Sequence, residues 1–171
     1  MLEGKRIIVT GSARGMGEAS LKAYVEAGAN VVGMDVSDEA GESVSNKANN
    51  AGPGKCSYIH VDVSKKSSVE ESFTKAVEIL GGLDVLAHPA AIQRASNASD
   101  VSVEDWDLMF SINVKGTMLT NQIAYKHMKK SGGGSIINFG SISGLRPEPS
   151  ASAYSAAKGA VHSWTRTASG T

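Results

Sequence analysis

The chain has 171 residues, of which 41% are hydrophobic and 20% charged, the composition of an ordinary globular domain. Its 17 basic residues balance 17 acidic ones, and no Lys/Arg cluster follows one face, which argues against nucleic acid or an anionic membrane as the main partner. The single cysteine, Cys56, excludes an internal disulfide and favours a reducing compartment. A strand-like run near the start leaves no room for a signal peptide, and no apolar run approaches a membrane span, so we expect a cytoplasmic protein.

A glycine-rich turn follows the first predicted strand, Arg6–Thr10, and opens a helical pattern that ends at Gly28. Its glycines are spaced Gly11-x-x-x-Gly15-x-Gly17, which lets the backbone turn tightly and approach a pyrophosphate at the helix N-terminus. The Gly-Lys-Ser/Thr ending of a nucleotide-hydrolysing P-loop is missing. The same pattern also fits a tight turn that binds nothing.

A carboxylate, Asp35, directly follows the second predicted strand, residues 30–34. It lies about 20 residues beyond the glycine loop. A carboxylate there can accept hydrogen bonds from the ribose hydroxyls of an adenosine and would repel a 2′-phosphate, which favours NAD over NADP. Alternatively, Asp35 caps the next helix, a role that Ser37 and Asp38 could share.

The remaining elements alternate between helix and strand. Helices are predicted at 39–50, 67–80, 103–130 and Ser152–Ala168, and strands at 57–61, 83–87 and 135–139. Ser67 and Ser102 open capping boxes with Glu70 and Asp105. This alternation predicts an α/β fold with one Rossmann-type, doubly wound parallel sheet of five strands flanked by helices, a single domain over residues 1–171. Thr10, Asp35, Asp62 and His88 then share the carboxyl edge of the sheet, where ligands bind.

Three residues near the end of the chain suggest proton-transfer chemistry. Tyr154 and Lys158 are four apart, so on a helix they share one face with Cβ atoms about 6 Å apart. A tyrosine is a poor base at neutral pH unless a positive charge favours its phenolate, and Lys158 could supply that charge. Ser141, at the end of the fifth strand, could hydrogen-bond the same substrate oxygen. A surface Tyr and Lys on an Ala-rich helix is the alternative.

Two further polar residues need an interpretation. Asn113 lies on or beside the apolar face of the long helix, either satisfied by backbone or holding a water in a proton path. His162, one turn beyond Lys158, is interpreted as exposed or partner-facing. The histidines and Cys56 lack metal-ligand spacing, so no metal site is predicted.

Taken together, the glycine loop, Asp35, Asn113 and the Ser141, Tyr154 and Lys158 set resemble the classical short-chain dehydrogenase/reductase family over nearly the whole chain. The resemblance implies hydride transfer between a nicotinamide and a secondary alcohol or ketone, with Tyr154 as general acid or base. Lys158 assists it, Ser141 orients the substrate oxygen and Asn113 holds the relay water. The implied cofactor contacts come from Gly11, Ser12, Arg14, Gly15, Met16, Gly17, Asp35, Val36, Asp62, Val63, Ala90, Tyr154 and Lys158.

The chain departs from the family pattern in two ways. After the fourth strand it reads His88-Pro89-Ala90-Ala91 where the family usually has Asn-Asn-Ala-Gly. Family members also continue through a sixth strand, a substrate-covering loop and a seventh strand, so the fold is expected to lack its usual last strands. We therefore expect the fifth strand to be an exposed edge, and the chain to be truncated or stabilised as a homo-oligomer, a dimer or tetramer. The alternative function is a catalytically weak or silent cofactor-binding or assembly protein.

Overall fold

A computed structural model of the protein describes residues 2–146 and 148–170. Strands and helices alternate along it as β1 Arg6–Thr10, α1 Gly15–Glu26, β2 Asn30–Asp35, α2 Asp38–Asn49, β3 Lys55–His60, α3 Lys66–Leu80, β4 Val85–His88, α4 Val103–Phe110, α5 Gly116–Lys130, β5 Ser135–Asn138 and α6 Ser152–Ala168. A π-helical segment, Ser111–Lys115, joins α4 to α5, and a 3-10 turn, Ile142–Gly144, follows β5. The predicted domain also includes Met1, Pro147 and Thr171, which lie outside the described residues.

The five strands form one parallel sheet in the order β3-β2-β1-β4-β5. The chain moves outward from β1 to β3, then returns to pair β4 with the other side of β1, which is the doubly wound arrangement. The predicted fold class is therefore confirmed. All carboxyl ends of the strands meet at one edge, where the loops after β1, β2, β3 and β4 converge.

Apolar side chains cover both faces of the central strands β2, β1 and β4, which are buried on both sides, whereas the edge strands β3 and β5 are partly exposed. In β1, Ile7 and Val9 point to the face that packs with Leu21 and Val25 of α1. Ile8 points to the opposite face, which packs with Phe73 of α3 and with α5. This two-residue alternation gives a three-layer structure with a core on each side of the sheet.

Several predicted boundaries were wrong by one or two residues. β3 begins at Lys55 rather than residue 57, since Lys55 and Cys56 pair with β2. β4 begins at Val85 rather than residue 83 and extends through His88. The capping box at Ser67 was also wrong. The residue before α3 is Lys65, and the nearby Ser68 hydroxyl instead accepts a hydrogen bond from the Asp62 backbone N–H at 3.0 Å.

The long predicted helix begins and ends at the predicted residues but is not one regular α-helix. Ser102 caps it as predicted, because its Oγ accepts a hydrogen bond from the Asp105 N–H at 3.1 Å. The π-helical segment interrupts it after Phe110, and this segment contains Asn113. π-Helical turns within α-helices occur frequently at functional sites.

β5 is an edge strand, as expected, with β4 on one side. Ile137 is 41% exposed on this strand. Among the described residues, we find no helix with the length and apolar character needed to cross a membrane.

Candidate active site

A cavity of about 350 Å³ opens at the carboxyl edge of the sheet. Eleven of the residues predicted to contact a cofactor line it: Gly11, Arg14, Met16, Gly17, Asp35, Val36, Asp62, Val63, Ala90, Tyr154 and Lys158. The lining also includes residues that were not predicted to contact the cofactor: Ser37, Val61, Pro89, Ala91 and Ile112. Each of these directly adjoins a predicted residue along the chain, and that adjacency was the available signal.

Four predicted residues do not line this cavity: Ser12, Gly15, Asn113 and Ser141. Ser12 is fully buried, and its hydroxyl packs so close to Gly33 that a Cβ there would lie 2.9 Å from it. The Ser12 side chain therefore faces β2 rather than the cavity.

Glycine is required at two positions of the loop by close approach. Gly11 has a φ of +60°, and a Cβ there would lie 2.7 Å from the Ala90 Cα. A Cβ at Gly17, in the first turn of α1, would overlap the Gly11 carbonyl oxygen. The loop thus folds directly onto α1 and onto the segment after β4, and side chains at either glycine would fill the space beside the cavity.

Asp35 anchors the neighbouring part of the cavity wall. Its Oδ2 accepts a hydrogen bond from the Ala13 N–H of the glycine loop at 3.1 Å, and its Oδ1 accepts one from the Ser37 N–H before α2 at 3.0 Å. The carboxylate therefore binds the N–H of the residue that precedes α2 and not an N–H of the helix itself, so it is not the helix cap of the alternative interpretation, and it borders the cavity. These two bonds fix its orientation while each oxygen retains further acceptor capacity.

Asp62 is held in the same way at the end of β3. Its Oδ1 accepts hydrogen bonds from the N–H and the hydroxyl of Ser64, and its Oδ2 lies 3.0 Å from the Lys65 ammonium. Burial raises the pKa of Asp62, but the bonds from Ser64 and Lys65 together outweigh it and keep that pKa below its usual value. Asp62 is therefore a fixed negative charge at the cavity wall.

Tyr154 and Lys158 lie on α6 and both line the cavity. The Lys158 Nζ is 5.7 Å from the centroid of the Tyr154 ring, so the two side chains share one face as predicted. Lys158 is only 4% exposed and its Nζ donates a hydrogen bond to the Phe139 carbonyl oxygen at 2.7 Å. Burial lowers the pKa of Lys158. This is not the surface pair of the alternative interpretation.

Asn113 is 1% exposed and clamps the loop after β4. Its Oδ1 accepts a hydrogen bond from the Ile92 N–H at 2.9 Å, and its Nδ2 donates one to the Ile92 carbonyl oxygen at 2.8 Å. The side chain is thus satisfied by backbone, which was one of the two alternatives. Its own carbonyl accepts a bond from the Thr117 hydroxyl at 2.7 Å, and a water on that carbonyl stays a prediction.

Ser141 begins the 3-10 turn after β5, where its Oγ accepts a hydrogen bond from the Ser143 N–H at 3.2 Å. His162 of α6 contacts it from behind, with Nε2 2.9 Å from the Ser141 carbonyl oxygen. The interpretation of His162 as exposed or partner-facing was wrong, because its ring also packs against Gly140 and Gly144. His162 therefore attaches the turn that carries Ser141 to the helix that carries Tyr154.

His88 is 3% exposed at the end of β4, within hydrogen-bond distance of two threonines. Its Nδ1 lies 2.7 Å from the Thr10 hydroxyl of β1 and 3.2 Å from the Thr120 hydroxyl of α5. Burial lowers the pKa of His88 to about 3, and the positive charge of Lys158 adds to the effect. The ring is therefore neutral near pH 7.

Comparisons with known proteins agree on one family. The family model for short chain dehydrogenases matches residues 5–170. An uncharacterized oxidoreductase of Staphylococcus aureus is 36% identical over 166 residues, which covers 97% of this chain and 71% of the relative. An uncharacterized oxidoreductase of Thermotoga maritima is 34% identical over 161 residues, which covers 94% of this chain and 62% of the relative.

Solved structures show the same likeness. A short chain dehydrogenase from Mycobacterium smegmatis superposes with a TM-score of 0.94 at 29% identity, over 98% of this chain and 70% of that one. A short-chain type dehydrogenase/reductase from Mycobacterium marinum gives a TM-score of 0.92 at 31% identity, over 97% and 68% of the two chains. Both solved chains are longer than this one. The superposition covers nearly all of this chain, including β1 to β5, and about 70% of each solved chain.

Proposed function

Since the chain belongs to the short-chain dehydrogenase family, we propose that it is an NAD(H)-dependent oxidoreductase acting on a secondary alcohol or the corresponding ketone. One observation carries the proposal: a single cavity is lined by the glycine loop, by Asp35 and by the Tyr154 and Lys158 pair. The residues predicted to bind a dinucleotide and the pair predicted to transfer a proton thus line the same cavity.

The described residues fit a dinucleotide. Gly11 and Gly17 keep the amino end of α1 free of side chains where a pyrophosphate would bind. Asp35 and Asp62 border the part of the cavity where an adenosine would lie, and the fixed carboxylate of Asp35 supports NAD rather than NADP, because it would repel a 2′-phosphate. When bound, the nicotinamide supplies the hydride donor or acceptor.

The chain's own residues supply the proton chemistry. The Tyr154 hydroxyl takes a proton from the alcohol during oxidation and returns one to the carbonyl oxygen during reduction. The Lys158 Nζ, 5.7 Å from the centroid of the Tyr154 ring, places a positive charge beside the residue that exchanges the proton. The Ser141 hydroxyl orients the substrate oxygen, and Asn113 shapes the substrate side of the cavity by holding Ile92 in place.

The experiment compares wild type with Tyr154→Phe. NADH binding is measured by fluorescence titration, and turnover is measured on a panel of secondary alcohols and ketones. Removing the phenolic hydroxyl should lower turnover by about 100-fold or more, because general acid–base catalysis contributes about 10² to 10⁴. The NADH Kd should change by less than about twofold, because the Tyr154 ring remains in the cavity wall.

Turnover that is the same in both proteins would remove Tyr154 from the chemistry. NADH binding with no turnover on any panel member would support instead the cofactor-binding protein without catalysis. No binding of either NADH or NADPH would refute the proposed function.

The remaining parts of the proposal concern assembly and location. We propose one dinucleotide-binding domain that acts on small molecules and assembles into a homo-oligomer, because the β5 edge and Ile137 are exposed in the single chain. Cys56 is a buried free thiol, which supports a cytoplasmic location.

A further inference from the structure

We propose that His88 is a positioning residue for cofactor binding, whose Nδ1 joins Thr10 at the base of the glycine loop to Thr120 in α5. The inference rests on the proposed dinucleotide binding. His88 was expected at the ligand-binding edge of the sheet, but neither as a catalytic nor as a cofactor-contacting residue, and its side chain does not line the cavity.

The position of His88 connects it to three separate parts of the cavity wall. Thr10 directly precedes Gly11, and Ala90 follows His88 by two residues, so the bond between His88 and Thr10 lies under the close approach of Gly11 to Ala90. On the other side, the Thr120 hydroxyl donates a hydrogen bond to the Gly116 carbonyl oxygen at 2.9 Å.

Gly116 extends this connection to the third part of the wall. A Cβ at Gly116 would lie 3.0 Å from the Val63 Cγ2, so this turn of α5 packs directly on Val63. Gly11, Ala90 and Val63 all line the cavity. A loss of the bonds at Nδ1 would therefore loosen three walls at once.

The hydrogen-bond pattern indicates that Nδ1, rather than Nε2, carries the ring proton and makes these contacts. The Thr120 hydroxyl already directs its proton toward backbone carbonyls of α5, so its oxygen is available to accept a bond from Nδ1–H. Within residues 2–146 and 148–170, the buried Nε2 has no hydrogen-bond partner. A proton on Nε2 would leave a buried donor unpaired, which costs more than an unpaired acceptor, so the neutral ring carries its proton on Nδ1. The single Nδ1–H is then shared between the Thr10 oxygen at 2.7 Å and the Thr120 oxygen at 3.2 Å.

Three substitutions separate the two ring nitrogens. His88→Asn keeps a polar atom at the Nδ1 position, His88→Gln moves it to the Nε2 position, and His88→Leu fills the space with apolar atoms. The NADH Kd from fluorescence titration should rise by about tenfold in the Gln and Leu variants, the effect of one lost buried hydrogen bond. In the Asn variant it should stay within about twofold of wild type.

Asn121→Ala is the matched control on the same helix. Asn121 is a buried amide that bonds with Asn138 and Trp164 away from the cavity. Its truncation should lower the thermal unfolding midpoint without changing the NADH Kd. The positioning role would be overturned if the Leu and Gln variants bound NADH with the wild-type Kd. It would also be overturned if the NADH Kd of the Asn variant rose as much as that of the Leu variant.

A cofactor-free measurement tests the link itself. Unfolding of His88→Leu, Thr10→Val and the double variant in urea should give a double loss clearly smaller than the sum of the single losses. Additive losses would show that the two side chains are not coupled and would overturn the inference. If wild type binds neither NADH nor NADPH, the proposed function and the cofactor part of this inference both fail. The urea unfolding of the single and double variants still decides whether His88 and Thr10 are coupled.

Discussion

Lowering the pH from 7 to 5 should destabilise the protein through His88. The ring is buried with a pKa of about 3, whereas a histidine in the unfolded chain titrates near its ordinary value of 6.5. Between these values the unfolded state binds a proton that the native state does not, so the free energy of unfolding falls as the pH falls. The slope inside that window is about 1.4 kcal/mol per pH unit. At pH 5 the loss is therefore about 2 kcal/mol.

The assay is urea unfolding of wild type and His88→Asn at pH 7 and pH 5. The Asn variant lacks the titrating ring, so its loss of stability between the two pH values should be smaller than that of wild type by about 2 kcal/mol. Other groups also titrate: burial and the nearby Lys130 lower the pKa of His127, and a guanidinium hydrogen bond from Arg6 lowers the pKa of Asp84. Their contributions occur in both proteins and cancel in the difference.

An equal loss in the two proteins would refute this reasoning. It would mean that the native state protonates His88 as easily as the unfolded chain does, which is incompatible with a ring that is 3% exposed and placed near the Lys158 charge. The urea dependence of the transition should stay the same between the variants, because the surface exposed on unfolding is unchanged.

Two further predictions concern the cofactor loop and its acidic neighbour. Asp35→Ala should weaken NADH binding and should lower the ratio of the NADPH Kd to the NADH Kd by about tenfold. The control variant, Asp38→Ala at an exposed position, should leave this ratio unchanged. An unchanged ratio in Asp35→Ala would place the ribose contact elsewhere. Gly17→Ala should lower the unfolding midpoint and weaken NADH binding by about tenfold or more, because its Cβ overlaps the Gly11 carbonyl. Gly159→Ala on α6 meets only ordinary contacts and should stabilise the protein by up to about 1 kcal/mol. Equal effects of the two glycine changes would contradict the close approach.

The sequence was sufficient for the features that local chemistry determines. The parallel, doubly wound sheet follows from alternating elements and right-handed crossovers, and the glycine loop and Asp35 follow from their positions after β1 and β2. The shared face of Tyr154 and Lys158 follows from helical spacing. These predictions needed only short-range patterns and the rule that parallel strands end at one edge.

Other features depend on contacts between distant segments. β3 begins at Lys55 because β2 offers a pairing partner there, although the polar start of that strand carries no strand signal. His162 reaches Ser141 across the 3-10 turn, and His88 reaches Thr10 across 78 positions of the chain. Such pairs become visible only when the fold brings the segments together, so the sequence placed His88 at the ligand-binding edge without its partners and did not place His162 at the site.

The π-helical segment between α4 and α5 has a mechanical consequence. One extra residue in a helical turn advances the later side chains by about 100° around the axis. This offset lets α4 pack on α6 while α5 packs on α3 and β4, although both belong to one continuous rod. Deleting a single residue from Ser111–Lys115 would join α4 and α5 into one regular α-helix. Either α4 or α5 would then be rotated away from the elements that it packs against. The π-helical segment thus sets the rotation between α4 and α5, so that α4 contacts α6, the helix that carries Tyr154, while α5 contacts the sheet.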